Sequence, residues 1–353
     1  MSASPTPQFL RKYQLLIKFP PSGGTQKVIE LPDPNSDDAH QLRVTFDVFT
    51  SWWSAPWYAD ISIYNLNEYT ANLLLSQGTN SGSAPAPNSA QQAVQIQQGM
   101  EVVLSAGYEN NPGGYGIIWD GYVLQPLWER ENQTDFKLTL HCINWLGLIS
   151  ANSVGMSFGA GANQQQIVEA IAKNSYHPIG VGQISPSLSA KKLPRGKVVF
   201  GNPGDILNQI ARDNNMQYWL SHKGLLNFTG LADKALPISA TPAKVFTPTT
   251  GIVGTPQQTQ YGCDFRLLLD ASVGVTVPAM TVKIDNTQIR QLLRQAGVYP
   301  GLLAQDGVYV VVGARYRGDT RGNDWYTDVT GWNTAAQAIA AQEAATGVQL
   351  GNG

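Results

Sequence analysis

The chain has 353 residues, of which Asp, Glu, Lys and Arg supply only 14% while 42% are hydrophobic and Gly and Pro number 35 and 21. Typical soluble proteins carry about 25% charge, and a chain this poor in ions can bury wide surfaces without stranding charge, which points to association; its length asks for two or three compact units. A net charge of −2 and a pI near 6.1 exclude a binder resting on cationic contacts to phosphate.

Cys142 and Cys263 are far apart and form no C-x-x-C, so neither a disulfide framework nor a zinc site is indicated. The N-terminal stretch MSASPTPQFLRKYQLLIKFP lacks the uninterrupted apolar run of a signal peptide. No other run approaches the ~18 apolar residues of a membrane span, so membrane insertion is not expected.

Along the first 150 residues, apolar and polar positions alternate between Gly, Pro and Asn punctuation, as in half-buried strands. The pattern predicts strands over Tyr13 to Phe19, Leu42 to Thr50 and Ala59 to Tyr64, then a helix from Glu68 to Ser76 capped by Asn67. The polar stretch Gly78 to Gln92 reads as a loop. Strands return at Glu101 to Tyr108, Gly116 to Leu127 and Thr134 to Ile143, an order that implies an antiparallel meander or barrel.

From Ser150 to Leu231 the period becomes helical. Ile167, Val168 and Ile171 form one stripe and Ile206, Leu207, Ile210 and Ala211 another, the second opened by Asn202 as cap and Pro203 in the first turn. Met216 to Leu220 and Leu225 to Thr229 flank a Ser-His-Lys-Gly hairpin turn. Past Leu236, residues 247–262 read as an irregular Pro- and Gly-rich segment before strands at Cys263 to Leu269, Met280 to Ile284, Gly307 to Tyr316 and Trp325 to Thr330. A short helix from Asp285 and an Ala-rich helix from Thr334 to Thr346 complete the reading. The chain is therefore mainly β with α+β elements: a β unit over 1–150, an α/β module over 151–235, a second β unit over 236–332 and a helical tail over 333–353.

Gly155-Met156-Ser157-Phe158-Gly159 matches G-x-S-x-G, which would make Ser157 the nucleophile of a hydrolase acting on cell-wall or carbohydrate substrate. Such an elbow needs a parallel α/β sheet and a downstream histidine, and neither His177 nor His222 sits in that context; a Gly-rich connector is the better reading. His40, His141, His177 and His222 show no metal spacing, and His141 and Cys142 should point to opposite faces of a strand. Asp319, Arg321, Asn323, Asp324 and Asp328 are reminiscent of a calcium loop, but an arginine replaces a ligand and the closing Glu is missing, so a turn is expected. No phosphate-cradling loop occurs, and no cofactor is implied. Arg130, Arg195, Arg266, Arg315, Arg317 and Arg321 read as scattered solvated groups or single ion pairs. The string SWWSAPWY concentrates Trp52, Trp53 and Trp57, which suit local core, a subunit interface or sugar stacking, the interface being the functional assignment.

The segments YADISIYNLNEYTANLL, EVVLSAGY, IIWDGYVLQP and DFKLTLHCINW, followed by SFGAGANQQQIVEAIA, LPRGKVVFG, GDILNQIA, QYWLSHKGLLNF, TGIVGTPQQTQYGCDFRLLLD and DGVYVVVGARYRGDTRGNDWYTDV, resemble in order the baseplate hub proteins of tailed phages, over residues 10 to 330. The resemblance implies a structural protein and no enzyme, with two tail-tube-like β-barrel units joined by smaller modules. It implies a homotrimer whose six barrels form a pseudo-sixfold ring, a symmetry adaptor between the sixfold tail tube and the threefold spike that leaves a channel for DNA ejection. The implied partners are copies of itself, the tail tube protein, the central spike protein and other baseplate proteins, without sequence-specific nucleic acid binding. The implied place is the virion of a phage with a contractile tail, assembled in the host cytoplasm. A single-barrel tail-tube or distal-tail protein and a spike component of a bacterial secretion system are the neighbouring alternatives.

Overall fold

The computed structural model describes residues 10–20, 26–34, 41–52, 54, 56–78, 99–111, 114–144, 153–175, 179–221, 224–230, 244–259, 261–274, 280–285, 289 and 307–333. The tail helix at 334–346, the loop after residue 78 and most of the helix opened by Asp285 lie outside these residues, as do Trp53, His40, His177 and His222.

Seven strands build the first β unit: β1 (Arg11–Lys18), β2 (Val28–Leu31), β3 (Val44–Ser51), β4 (Tyr58–Tyr64), β5 (Glu101–Tyr108), β6 (Gly116–Arg130) and β7 (Phe136–Ile143). Alternation of buried and outward positions is plainest in β3 and β4. In β4, Ala59, Ile61 and Ile63 are buried while Asp60 is exposed, the period of two that a pleated strand imposes. Helix α1 (Glu68–Gly78) starts where the Asn67 side chain accepts the Thr70 N–H at 2.7 Å, and it buries Ala71 and Leu74.

The middle of the chain forms its own core. Strands β8 (Val154–Phe158) and β10 (Lys197–Gly201) make an antiparallel ribbon. A three-stranded sheet combines β9 (Gly180–Ile184), β11 (Met216–Ser221) and β12 (Leu225–Gly230) in the order β11-β12-β9. Helices α2 (Gln164–Asn174) and α4 (Pro203–Asp213), with the short α3 (Ser187–Ala190) between them, complete this module. The helices turn Ile167, Val168, Ile171, Leu207, Ile210 and Ala211 inward against a Tyr218–Phe228 stack. Asn163 and Gln166 form a reciprocal capping box on α2, and Asn202 accepts the Gly204 N–H at 2.8 Å on α4.

The second β unit holds β13 (Lys244–Phe246), β14 (Ile252–Gln258), β15 (Gly262–Leu268), β16 (Thr281–Ile284), β17 (Val308–Asp319) and β18 (Trp325–Asn333). The two units are not separate bodies joined by a linker. Antiparallel pairing of β17 with β3 makes one 13-stranded sheet in the order β14-β15-β18-β17-β3-β4-β7-β6-β5-β1-β2, with β16 also paired to β17 and β13 running parallel to β16. Residues of both units belong to one apolar cluster running from Leu15 to Trp332.

Two readings are corrected. The segment 247–262 is not irregular: β14 lies in it, an edge strand that among the described residues pairs with β15 alone, bulged between Val253 and Gln257. The bulge absorbs Gly254 at φ +76 and Pro256, which an edge tolerates because no second neighbour needs the missing N–H. The G-x-S-x-G segment is a strand and not a connector, since its residues pair across to β10.

The joint between the units is tightly fitted around Phe46. This ring lies under Gly318, where a Cβ would come within 2.2 Å of it. Gly318→Ala should therefore cost about 1–3 kcal/mol by overpacking. A denaturation midpoint within error of the parent protein would show that the ring has room to shift.

Candidate functional surface

One face of the sheet carries the core and the other carries charge. On that second face Asp47 of β3 stands opposite Asp60 of β4 and Arg317 of β17, and Asp60 stands opposite His141 of β7. The next row brings together Arg266 of β15, Asp328 of β18 and Arg315 of β17. The alternation that buries Phe46, Val48, Ala59 and Ala314 necessarily turns these neighbours outward.

The charges are paired across strands. Arg315 donates from Nε and Nη2 to the two oxygens of Asp47 at 2.6 and 2.5 Å, and Arg266 donates likewise to Asp328 at 2.6 and 3.2 Å. Arg317 lies between these carboxylates, 3.9 Å from Asp47 and 3.6 Å from Asp328. Lys137 meets Glu129 at 2.7 Å, and His141 Nδ1 meets Asp60 at 2.6 Å. Fork-to-fork pairing fixes the guanidinium planes as well as their charge. Asp264 shares the face; burial pushes its carboxyl up, against a hydrogen bond from Thr330.

At one end of the face the β17–β18 hairpin tip is clamped onto the first unit. Arg43 donates to both oxygens of Asp319 at 3.1 and 2.7 Å, and Arg11 donates to the carbonyls of Gly322 and Asn323 at 2.6 and 3.0 Å. Burial opposes ionisation of Asp319, but Arg43 and the N–H groups of Arg321 and Gly322 together hold its carboxyl below the usual range. The Asp- and Gly-rich string is thus a turn, as its composition predicts, and Asp319 is committed to an arginine. Among the described residues no group of three or more His, Cys, Asp or Glu is placed to hold a metal.

The sequence-selected residues fall elsewhere. Trp52 and Trp57 are 2% and 1% exposed within a single chain, so their indoles face the protomer's own interior. Trp52 packs edge-on against Trp219 with centroids 6.1 Å apart and donates from Nε1 to Thr229 at 3.0 Å. Nearby, Ser54 donates to Gln217 at 2.8 Å, while Asn144 accepts the Trp57 N–H and donates to the Leu220 carbonyl, both at 2.9 Å. These contacts dock the middle module onto the first β unit. Ser157 is exposed on an antiparallel ribbon opposite Val198, and Gly155 stands opposite Phe200. That is no strand-to-helix elbow; the small residues flank two side chains that are 76% and 78% exposed. His141 is half-exposed and Cys142 buried, on opposite faces of β7. Burial pushes both thiols up, Cys263 to about 12, so neither is a nucleophile at neutral pH.

Arg266, Arg315 and Arg317 are therefore neither scattered nor singly paired, which the sequence did not reveal. Beside them the β14 bulge leaves an open groove of ≈ 580 Å³, lined by Thr255, Asp264, Arg266, Arg315 and Asp328 among others. Its arginines already face carboxylates, and Asp264 accepts a hydrogen bond from Thr330.

A continuous antiparallel sheet built from two β units, with a compact α/β module inserted between them, is the fold of phage tail proteins. The tail protein from Neisseria meningitidis MC58 superposes with a TM-score of 0.52 at 10% identity, covering 92% of this chain and 99% of that one. The 43 kDa tail protein of prophage MuSo2 from Shewanella oneidensis gives 0.50 at 10% identity, with 92% and 98% covered. The E. coli c3393 protein, a type VI secretion component described as structurally similar to the T4 tail proteins gp27 and gp5, gives 0.51 at 10% identity, with 82% and 73% covered. A sequence profile for baseplate hub gp41 matches residues 26–286, and the chain belongs to that family. No curated protein matches it in sequence. It is a structural protein of the phage tail baseplate.

Proposed function

We propose that three copies of this chain form a closed ring in which the two β units of each copy act as two of six similar positions. The observation that carries this reading is the β17·β3 joint, where one chain already pairs its two units edge to edge. Repeating a two-unit chain three times gives a pseudo-sixfold annulus with exact threefold symmetry. One side of such a ring suits a sixfold tail tube protein, and the other suits a threefold central spike protein, with further baseplate proteins around the rim. The ring leaves a channel for genome passage in a contractile tail and is assembled in the host cytoplasm before the virion is complete. No bond is made or broken in this role.

The test is mass and symmetry together. Light scattering on concentrated protein should give three times 38.2 kDa, and cryo-EM averages of assembled baseplates should show a ring of six β units around a pore. A monomer at all concentrations and no such ring in particles would overturn the reading.

A further inference from the structure

The β8–β10 ribbon of the middle module has one face in the module and one in water, and the outer face is apolar. Val199 is buried in the module core with Met156 and Phe158 packed beside it, whereas Val198 and Phe200, on the alternate positions, are 76% and 78% exposed. Ser157 and Gly155 stand across the ribbon from them, so no large side chain of β8 faces either. Among the described residues β10 pairs with β8 alone, which leaves its second edge open. One exposed apolar residue is ordinary, but two on the same face of an open strand form a surface with an edge to add to.

The approach to this strand is basic. Lys191, Lys192, Arg195 and Lys197 fall within seven residues just before Val198, and residues 151–235 carry eight Lys and Arg against four Asp and Glu in a chain that is acidic as a whole. Arg43, Arg266 and Arg315 each meet a carboxylate. Among the described residues none of these four cations does. Their backbone is nonetheless fixed: the Leu193 N–H donates to the Ala162 carbonyl at 2.7 Å, the Leu193 carbonyl accepts the Gly161 N–H at 2.9 Å, and Lys192 bridges to Asn163.

We infer that β10 takes an added strand from another protein of the baseplate, one whose apolar residues lie beside Val198 and Phe200 and whose carboxylates meet the cations of 191–197. The inference rests on the chain's place in the baseplate and needs no ring. An apolar centre with a charged rim is the anatomy of a protein interface. The open edge supplies main-chain hydrogen bonds, the two side chains set the register, and the cations select an acidic partner and speed its arrival. Phosphate, in nucleic acid or lipid headgroups, would use the cations but gain nothing from the strand edge. A second copy of this chain is a poor donor of such a strand. Its acid-rich string at 33–38 contains Pro34 and Asn35 and no alternating apolar residues, and those at 129–135 and 319–328 belong to the β6–β7 and β17–β18 hairpins, already paired.

The test places p-benzoylphenylalanine at position 200, and separately at 198, of the full chain, assembles baseplates with it, irradiates them and sequences the adduct. Circular dichroism of the isolated variants checks their fold. The expected adduct joins position 200 to a different baseplate protein, in a segment that alternates apolar residues and holds more Asp and Glu than Lys and Arg. Adding Lys191→Glu/Lys192→Glu/Arg195→Glu should lower the adduct per incorporated chain at least about tenfold, because three attractions become repulsions. Lys191→Arg/Lys192→Arg should leave it unchanged. The inference is overturned by an adduct on a copy of this chain, on DNA, on lipid or on a segment without excess acid. It is also overturned if particles containing the folded variants give no adduct at either position, or if charge reversal leaves the yield unchanged. The symmetry of the same particles is read separately by cryo-EM, so a ring without the adduct removes this inference and leaves the hub reading, and an adduct without a ring does the reverse.

Discussion

Trp325→Ala should be among the most damaging single substitutions in this chain, costing about 3–5 kcal/mol. The indole opens β18 fully buried, donates from Nε1 to the Gly107 carbonyl at 3.1 Å, and meets Phe46 edge-on with centroids 5.4 Å apart. Arg11 lies 5.5 Å from its centroid. Phe46 belongs to β3 and Gly107 to β5, so one side chain from the second unit fills a space and satisfies a carbonyl in the first. Truncation leaves a cavity at the joint and an acceptor without its donor. Trp325→Phe keeps much of the volume and loses the hydrogen bond, so it should cost about 1–2 kcal/mol. Urea denaturation followed by far-UV circular dichroism measures both. A loss below 1 kcal/mol for the alanine variant would mean that the units hold together without this contact.

The joint also marks the limit of what could be read from the sequence. Strand β5 was legible at both ends, because the apolar run of Glu101 to Tyr108 lies between a Gly-Met entry and a Glu-Asn-Asn turn. Helix α4 was legible from Asn202-Pro203 and its apolar stripe. These signals are local. The cross-strand charge pairs are not, since Asp47 and Arg315 are 268 positions apart and meet only because β3 and β17 pair in one register. Each residue, taken alone, reads as an ordinary outward position on a half-buried strand. Strands β8 and β14 were obscured by glycine and proline, which read as breakers in the chain but are tolerated in a two-stranded ribbon and in a bulged edge. The tryptophan cluster carried an ambiguity that its string could not resolve: large aromatics serve a joint within a chain as readily as one between chains, and Trp52 serves the former.

Asp270→Ala should be nearly as costly as the tryptophan change, about 3 kcal/mol, for an electrostatic reason. Asp270 follows β15, is completely buried, and accepts from four donors: Lys244 Nζ, the Ser272 N–H and Oγ at 2.9 and 2.5 Å, and Asn111 Nδ2 at 3.2 Å. Its own N–H donates to Thr327 at 3.2 Å, and the next residue donates to the Gly114 carbonyl at 2.9 Å. The carboxylate thus gathers the β5–β6 turn of the first unit, β13 and the end of β15 at one point. Removing it leaves several donors with nothing to accept them, which costs more than the lost bonds alone. Asp270→Asn retains an acceptor for Ser272 but leaves Lys244 without its counter-ion; because Lys244 is 35% exposed, water replaces part of that loss. The expected order of stability is therefore parent, then Asp270→Asn, then Asp270→Ala, with Asp270→Ala/Lys244→Ala regaining part of the difference. If the double variant is no more stable than Asp270→Ala, the stranded lysine is not the source of the cost, and the orphaned donors of Ser272 and Asn111 must supply it.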